Sequence, residues 1–179
     1  MFNNLHIAGV NYDSVVDGCG MRTAIYFSGC THRCPGCHNP ETHDPNYGRL
    51  ADANVAQTIA AEINRRPYIR GITLTGGDPY FNPCVHNFVI RILKQVNRHI
   101  NVWAYTGAYY HEVENKPLTD LVDVLVDGPY IESLRDPSLA FRGSSNQRII
   151  DVQASRKAGK VILYTPKGER YDRCILSQP

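Results

Sequence analysis

Residues 22–37 read RTAIYFSGCTHRCPGC, and the organisation of the chain follows from the point where that string changes character. Arg22–Ser28 is rich in β-forming side chains and runs into Gly29, which predicts a strand, the first of the chain. From Gly29 to Asp44 the sequence is dominated by Cys, Pro, Gly, Asn and His, which predicts a loop. Cys30, Cys34 and Cys37 therefore fall directly after a strand, in the spacing C-x3-C-x2-C. With only six cysteines in 179 residues, such crowding reads as a metal site rather than a disulfide framework. Three thiolates in one tight loop can reach three corners of a cuboidal iron–sulfur cluster. No fourth cysteine stands beside them, so one iron would remain open to a substrate. A closed zinc site made by the three cysteines with His32, His38 or His43 satisfies the same spacing.

Outward from this loop, strand and helix patterns alternate. Asp52 is placed to cap a helix in which Val55, Ile59 and Ile63 recur every four residues, beside Ala56 and Ala60, and Pro67 ends it. Gly71–Thr75 predicts a short buried strand. Pro83 can open a second helix whose apolar face is Val85, Phe88, Val89, Ile92, Leu93 and Val96. Ile100–Thr106 and Val122–Asp127 predict two more strands, with a short helical piece over 109–115 between them. This order implies an α/β fold built of βαβ units around a parallel sheet. Its right-handed crossovers put the helices on one side if the sheet curls. Gly128–Gln147 reads as a long polar loop of the functional kind, and 160–174 as a terminal hairpin.

The composition is that of a globular chain, 42% hydrophobic and 20% charged, and the length suits a single domain over 1–179, with about 150–179 as a tail of unassigned role. A net charge of +2 with no Lys/Arg run longer than two gives no reason to expect nucleic acid as a partner. No segment approaches the roughly 20 apolar residues of a membrane span, and the N-terminus lacks the basic and apolar regions of a signal peptide, so the expected compartment is the cytoplasm.

Two further motifs sit at expected strand ends, where open α/β sheets bind ligands. In Thr75-Gly76-Gly77-Asp78-Pro79, the glycines let backbone approach a ligand closely, and Asp78 offers a carboxylate to a cationic amine. Read blandly, the same string is a strand-to-helix turn with Asp78 as a cap. In Asp127-Gly128-Pro129-Tyr130, Asp127 either faces the same mouth or simply forms an Asp-Gly turn. The string FRGSSNQR at 141–148 is dense in donors, notably Arg142, Asn146 and Gln147. It reads either as a loop that contacts a ligand or partner or as a solvated one.

Taken together, the strings SGCTHRCPGCHNPETH (28–43), LTGGDP (74–79), VWAYTG (102–107), DVLVDGPY (123–130) and FRGSSNQRI (141–149) resemble the radical S-adenosylmethionine superfamily. Within it they are similar to the glycyl-radical activase branch that serves anaerobic ribonucleotide reductases. The resemblance covers about residues 12–150, and the Arg-Gly-Ser-Ser-Asn-Gln string is its most branch-specific part. It implies a curled, incomplete parallel (β/α) barrel with a [4Fe–4S] cluster on Cys30, Cys34 and Cys37 and S-adenosyl-L-methionine beside it. Gly36, Cys37 and His38 would line the adenosine side. Gly76, Gly77 and Asp78 stand where the superfamily has Gly-Gly-Glu, whose acid contacts the cosubstrate amino group. Asp127 matches the first residue of an Asp-x-Lys motif in related activases, but Pro129 replaces the lysine. The implied activity is reductive cleavage of S-adenosylmethionine and abstraction of a glycine Cα hydrogen from a class III reductase. The implied partners are that reductase and a flavodoxin-like or ferredoxin-like electron donor. Two other functions share these residues: activation of another glycyl-radical enzyme such as pyruvate formate-lyase, and a zinc-stabilised binding module.

Overall fold

The structure, a computed structural model, describes residues 4–165. All its strands join one open sheet of seven, in the order β3-β1-β2-β4-β5-β6-β7. The strands are β1 (His6–Ser14), β2 (Arg22–Phe27), β3 (Arg49–Leu50), β4 (Gly71–Gly76), β5 (Asn101–Tyr105), β6 (Val124–Asp127) and β7 (Arg148–Asp151). The central strands β2, β4, β5 and β6 are parallel neighbours. The flanks are antiparallel: β1 pairs with β2, β3 with β1, and β7 with β6. The purely parallel sheet expected from the βαβ pattern is thus corrected at both edges, and Arg22–Phe27 is the second strand rather than the first. The sheet does not close.

The helices form for the reasons their sequences suggest. Helix α1 (Ala53–Arg65) starts where the Asp52 side chain accepts the Val55 N–H at 2.9 Å. It buries Ala56, Ile59, Ala60 and Ile63. Helix α2 (Cys84–Leu93) follows Pro83 and buries Val85, Phe88, Val89 and Ile92. Both helices pack on the sheet face formed by Ile25, Phe27, Ile72, Leu74, Val102, Ala104 and Leu125, which makes the main core. Period-two alternation sends the intervening residues to the opposite face. There Trp103, Val124, Val126 and Ile149 form a second, smaller cluster, with Tyr105 and Phe141 against it.

Arg22 also lies on that second face. It is fully buried, and burial pushes its guanidinium down to about 9. It donates to Thr73 Oγ1 at 2.7 Å, to Asn101 Oδ1 at 2.7 Å and to the Ile72 carbonyl at 2.6 Å, and lies over the Trp103 ring at 5.3 Å. These contacts tie β2, β4 and β5 together on the helix-free side.

A short α3 (Tyr110–Val113) follows β5, and α4 (Val152–Ala158) follows β7. The hairpin expected over 160–174 lies mostly outside the described residues. Within them, Leu163 makes an isolated antiparallel bridge to Ile150. No helix among the described residues is long and apolar enough to cross a membrane.

Candidate functional site

The four parallel strands end on one rim, and the turns that leave them surround a cavity of about 640 Å³. Its wall includes Cys30, His32, Cys34, Cys37 and His38 from the turn after β2, and Gly76 and Gly77 from the turn after β4. The turn after β5 adds Thr106 and Gly107, and the turn after β6 adds Gly128 and Tyr130. Open α/β sheets place ligands at this position, and the volume is in the range of small-molecule sites.

The cysteine loop is pinned at its base. The Gly29 N–H donates to the Thr42 carbonyl at 2.8 Å, which closes the loop on itself. The Cys37 N–H donates to the Cys34 carbonyl at 3.1 Å, so Cys34-Pro-Gly-Cys37 is a turn with both thiols on the cavity wall. Gly36 sits in the left-handed region at φ +71, with Glu132 close behind it, and is not itself on the wall. Cys30, Cys34 and Cys37 are free thiols, each half-buried, and burial pushes the Cys30 thiol up.

The Gly-Gly-Asp turn is stitched to the root of this loop. Gly77 N–H donates to the Phe27 carbonyl at 2.7 Å and Asp78 N–H to the Gly29 carbonyl at 2.9 Å. A Cβ on Gly77 would stand 2.5 Å from the Gly29 carbonyl oxygen, so glycine here allows two backbones to touch. Asp78 does not cap α2, because the Cys84 N–H goes to Asn82 Oδ1 at 2.9 Å. The Asp78 carboxylate is 5% exposed and lies just behind the wall. Its Oδ1 accepts the Tyr80 N–H at 2.8 Å. Its Oδ2 accepts from Thr106 Oγ1 at 2.8 Å, His32 Nε2 at 3.0 Å and the Gly107 N–H at 3.3 Å. The hydrogen bond to Asp78 raises the pKa of His32.

Asp127 is placed differently. It is fully buried, and both its oxygens are taken: Arg148 grips it with two nitrogens, Nε at 3.0 Å, and the Tyr110 N–H donates to Oδ2 at 2.8 Å. The cavity wall at that strand end is Gly128, not Asp127. The segment 141–148 lines the cavity with Phe141, Arg142, Gly143 and Gln147, and several of its donors also bind backbone beside it. Asn146 Nδ2 donates to the Pro129 carbonyl at 2.8 Å, Gln147 Nε2 to the Gly128 carbonyl at 3.1 Å, and Arg142 Nη1 to the Gln147 carbonyl at 3.1 Å. Gln147 Oε1 accepts the N–H groups of Gly143 and Ser144 at 2.9 and 3.2 Å. The segment is a brace that straps the turn after β6.

Sequence reasoning missed several wall residues. Val15, Val16 and Asp17 come from the turn between β1 and β2, and Tyr26, Thr75 and Tyr105 point in from the strands. Asp17 accepts from Tyr26 Oη at 3.4 Å and from Ser14 Oγ. The one available signal was the position of Asp17-Gly18-Cys19-Gly20 just before β2. His38 was anticipated, and its ring lies 5.7 Å from that of Tyr130. Cys84 lies in α2 away from the cavity, and Cys174 falls outside the described residues.

This arrangement has a counterpart among known proteins. Residues 16–150 match the family described as a 4Fe-4S single cluster domain. The chain is 35% identical over 139 residues to the anaerobic ribonucleoside-triphosphate reductase-activating protein of Salmonella typhimurium, covering 74% of this chain and 90% of that one. The protein of the same name in Escherichia coli K12 is 35% identical over the same shares, and that of Enterobacteria phage T4 is 32% identical over 148 residues, covering 78% and 93%. The chain belongs to the family of anaerobic ribonucleoside-triphosphate reductase-activating proteins. The stretch matched by the cluster-domain family runs from Val16 through Ile150, and so contains nearly the whole cavity wall.

The residues present fit a 4Fe-4S cluster. Among the described residues no three His, Cys, Asp or Glu side chains are grouped to hold a single metal ion. One tetrahedral zinc would need its sulfurs within about 4 Å of each other, given Zn–S bonds of about 2.3 Å. Three free, half-buried cysteines on one cavity wall supply the thiolate donors that such a cluster takes.

Proposed function

We propose that this protein activates an anaerobic, class III ribonucleotide reductase by reductive cleavage of S-adenosylmethionine. The observation that carries the reading is the meeting of three free thiols, the Gly76-Gly77 turn and the turns after β5 and β6 around one cavity at the ends of the parallel strands. Cys30, Cys34 and Cys37 would hold the [4Fe–4S] cluster. When bound, the cluster supplies one electron, and S-adenosylmethionine, on losing methionine, supplies the 5′-deoxyadenosyl radical that takes a hydrogen from a glycine Cα of the reductase.

The chain's own part is positioning. Asp78 would accept from the cosubstrate amino group, a charge-assisted contact in a site with little water. Cys37 and His38, with Tyr130 beside them, form the wall available to the adenosine, and Gly36 shapes the turn that presents them. Asp127 would act from behind the wall, through Arg148 and the Tyr110 N–H, rather than by touching the cosubstrate. On this reading the open sheet would be the incomplete barrel of the radical S-adenosylmethionine superfamily, with cofactors at its strand ends. The open side of the cavity, edged by Val15, Val16 and Leu139, would admit the reductase glycine loop. Electrons would come from a flavodoxin-like or ferredoxin-like protein.

The test is anaerobic reconstitution followed by three measurements: iron and sulfide per chain, 5′-deoxyadenosine after reduction with S-adenosylmethionine present, and the glycyl-radical signal of the reductase. Zinc in place of iron, or no 5′-deoxyadenosine from iron-loaded protein, would refute the reading. A radical formed on pyruvate formate-lyase but not on the reductase would reassign the partner.

A further inference from the structure

One oxygen of the Asp78 carboxylate, Oδ2, is already crowded. An sp² carboxylate oxygen has two lone pairs, yet Oδ2 receives three donors: Thr106 Oγ1, His32 Nε2 and the Gly107 N–H. Oδ1 is turned to the Tyr80 N–H. A further donor that reaches Oδ2 must therefore replace one of its three. Gly107 and Tyr80 donate from backbone. Thr106 is buried, and its hydroxyl also accepts the Ala108 N–H at 3.1 Å. His32 is different: it rides on the cysteine loop, its side chain is 30% exposed, and it forms part of the cavity wall.

Its resting place is nonetheless a fitted one. A Cβ on Gly107 would lie 2.5 Å from His32 Cδ2 and 2.9 Å from Nε2, so the imidazole occupies the space that a side chain at 107 would fill. The next residue, Arg33, is held in the left-handed region at φ +46, which is unfavourable for a non-glycine residue.

We infer that His32 is the resident occupant of the amino subsite at Asp78, and that S-adenosylmethionine enters by displacing it. The inference rests on the reading of this cavity as the S-adenosylmethionine site. His32 lies between Cys30 and Cys34, so the same contact latches the cluster loop to the Gly-Gly-Asp turn until the cosubstrate arrives. The latch lowers the apparent affinity by the fraction of molecules in which it is open.

The experiment measures binding, without turnover, on anaerobically reconstituted protein whose iron and sulfide have been verified. Calorimetry gives the Kd of S-adenosylmethionine and of 5′-methylthioadenosine, which keeps the nucleoside but has no amino group. If the latch is closed in roughly 80–90% of free molecules, His32→Ala binds S-adenosylmethionine about 5- to 10-fold more tightly than the parent. His32→Asn, too short to reach Oδ2, behaves the same way and serves if the alanine variant holds its cluster poorly. His32→Gln carries an amide nitrogen to about the place of Nε2 and stays near the parent value. 5′-Methylthioadenosine binds all four proteins alike. Unchanged or weaker S-adenosylmethionine binding by the iron-loaded Ala and Asn variants overturns the inference. An equal gain for both ligands also overturns it, because His32 would then merely fill space. Failure of the iron-loaded parent itself to bind S-adenosylmethionine would remove the cosubstrate reading, and the latch with it.

Discussion

Gly77→Ala isolates the contact on which the candidate site is built. The added Cβ would stand 2.5 Å from the Gly29 carbonyl oxygen, 2.9 Å from the Thr42 carbonyl oxygen and 3.0 Å from the Gly29 carbonyl carbon. All three are backbone atoms, so no side chain can swing aside. Relief requires the turn to back away by something near 1 Å. That movement weakens the bonds from the Gly77 N–H to Phe27 at 2.7 Å and from the Asp78 N–H to Gly29 at 2.9 Å. Two hydrogen bonds at about 1 kcal/mol each, on top of an overpacking cost of about 1–3 kcal/mol, put the loss near 3–5 kcal/mol. For a chain of this size that is a Tm lower by roughly 6–20 °C. Gly9→Ala, in β1, is the matched control: nothing lies within 4 Å of its Cβ, so the change should stay within about 0.5 kcal/mol. Urea unfolding of the metal-free protein measures both. The same Gly77→Ala protein should take up less iron on reconstitution, because the atoms it displaces are those that close the cysteine loop. Equal midpoints for Gly77→Ala and the parent, or equal damage from both glycine changes, would show that the turn and the loop are not in the contact described.

Three further outcomes follow from the same geometry. Cys30→Ala, Cys34→Ala and Cys37→Ala should each lose most of the reconstituted iron, whereas Cys84→Ala, in α2, should not; full loading of any loop variant contradicts the assignment. Asp78→Ala should keep its iron and weaken S-adenosylmethionine binding by about 10- to 150-fold, the worth of one hydrogen bond to a charged group, as read by calorimetry. Arg148→Ala leaves the fully buried Asp127 with only the Tyr110 N–H and should destabilise by about 2–4 kcal/mol, below the usual range for a broken buried pair because Arg148 is 39% exposed and water can replace part of it. Adding Asp127→Asn to that variant should recover part of the loss in urea unfolding.

The central elements were legible because their signals are local. Asp52 followed by apolar residues every four positions gives α1 its start and its buried face, and both are observed with the Val55 N–H on Asp52. Gly71–Gly76, Asn101–Tyr105 and Val124–Asp127 are short runs buried on both faces, and such strands declare themselves by composition. The edges were not legible. Strand β1 pairs with β2 through two register shifts and carries Gly9, Asn11 and Asp13, so its alternation is broken and only Ile7 and Ser14 are buried. Strand β7 has four residues, and its antiparallel pairing with β6 depends on a long excursion that no local pattern encodes.

The two aspartates at the strand ends show where motif reading stops being sufficient. Asp78 and Asp127 look alike in the sequence: each follows a buried parallel strand and sits beside glycine in a turn. Position at the rim suggests a ligand role for both. What separates them is β7. Because that strand returns antiparallel beside β6, Arg148 falls opposite Asp127 in register and takes its carboxylate from behind. Asp127 then serves as the acceptor that starts α3, through the Tyr110 N–H. Among the described residues, no lysine or arginine is paired with Asp78. Its partners are a hydroxyl, two backbone N–H groups and the imidazole of His32, and of these the imidazole is the part-exposed side chain carried by the cysteine loop. A carboxylate gripped by arginine is committed to the fold, whereas one held by neutral donors and a half-exposed histidine can still exchange a partner. The difference in chemistry between two similar motifs therefore lies in a four-residue strand remote in the chain from both loops that carry the cofactor signature.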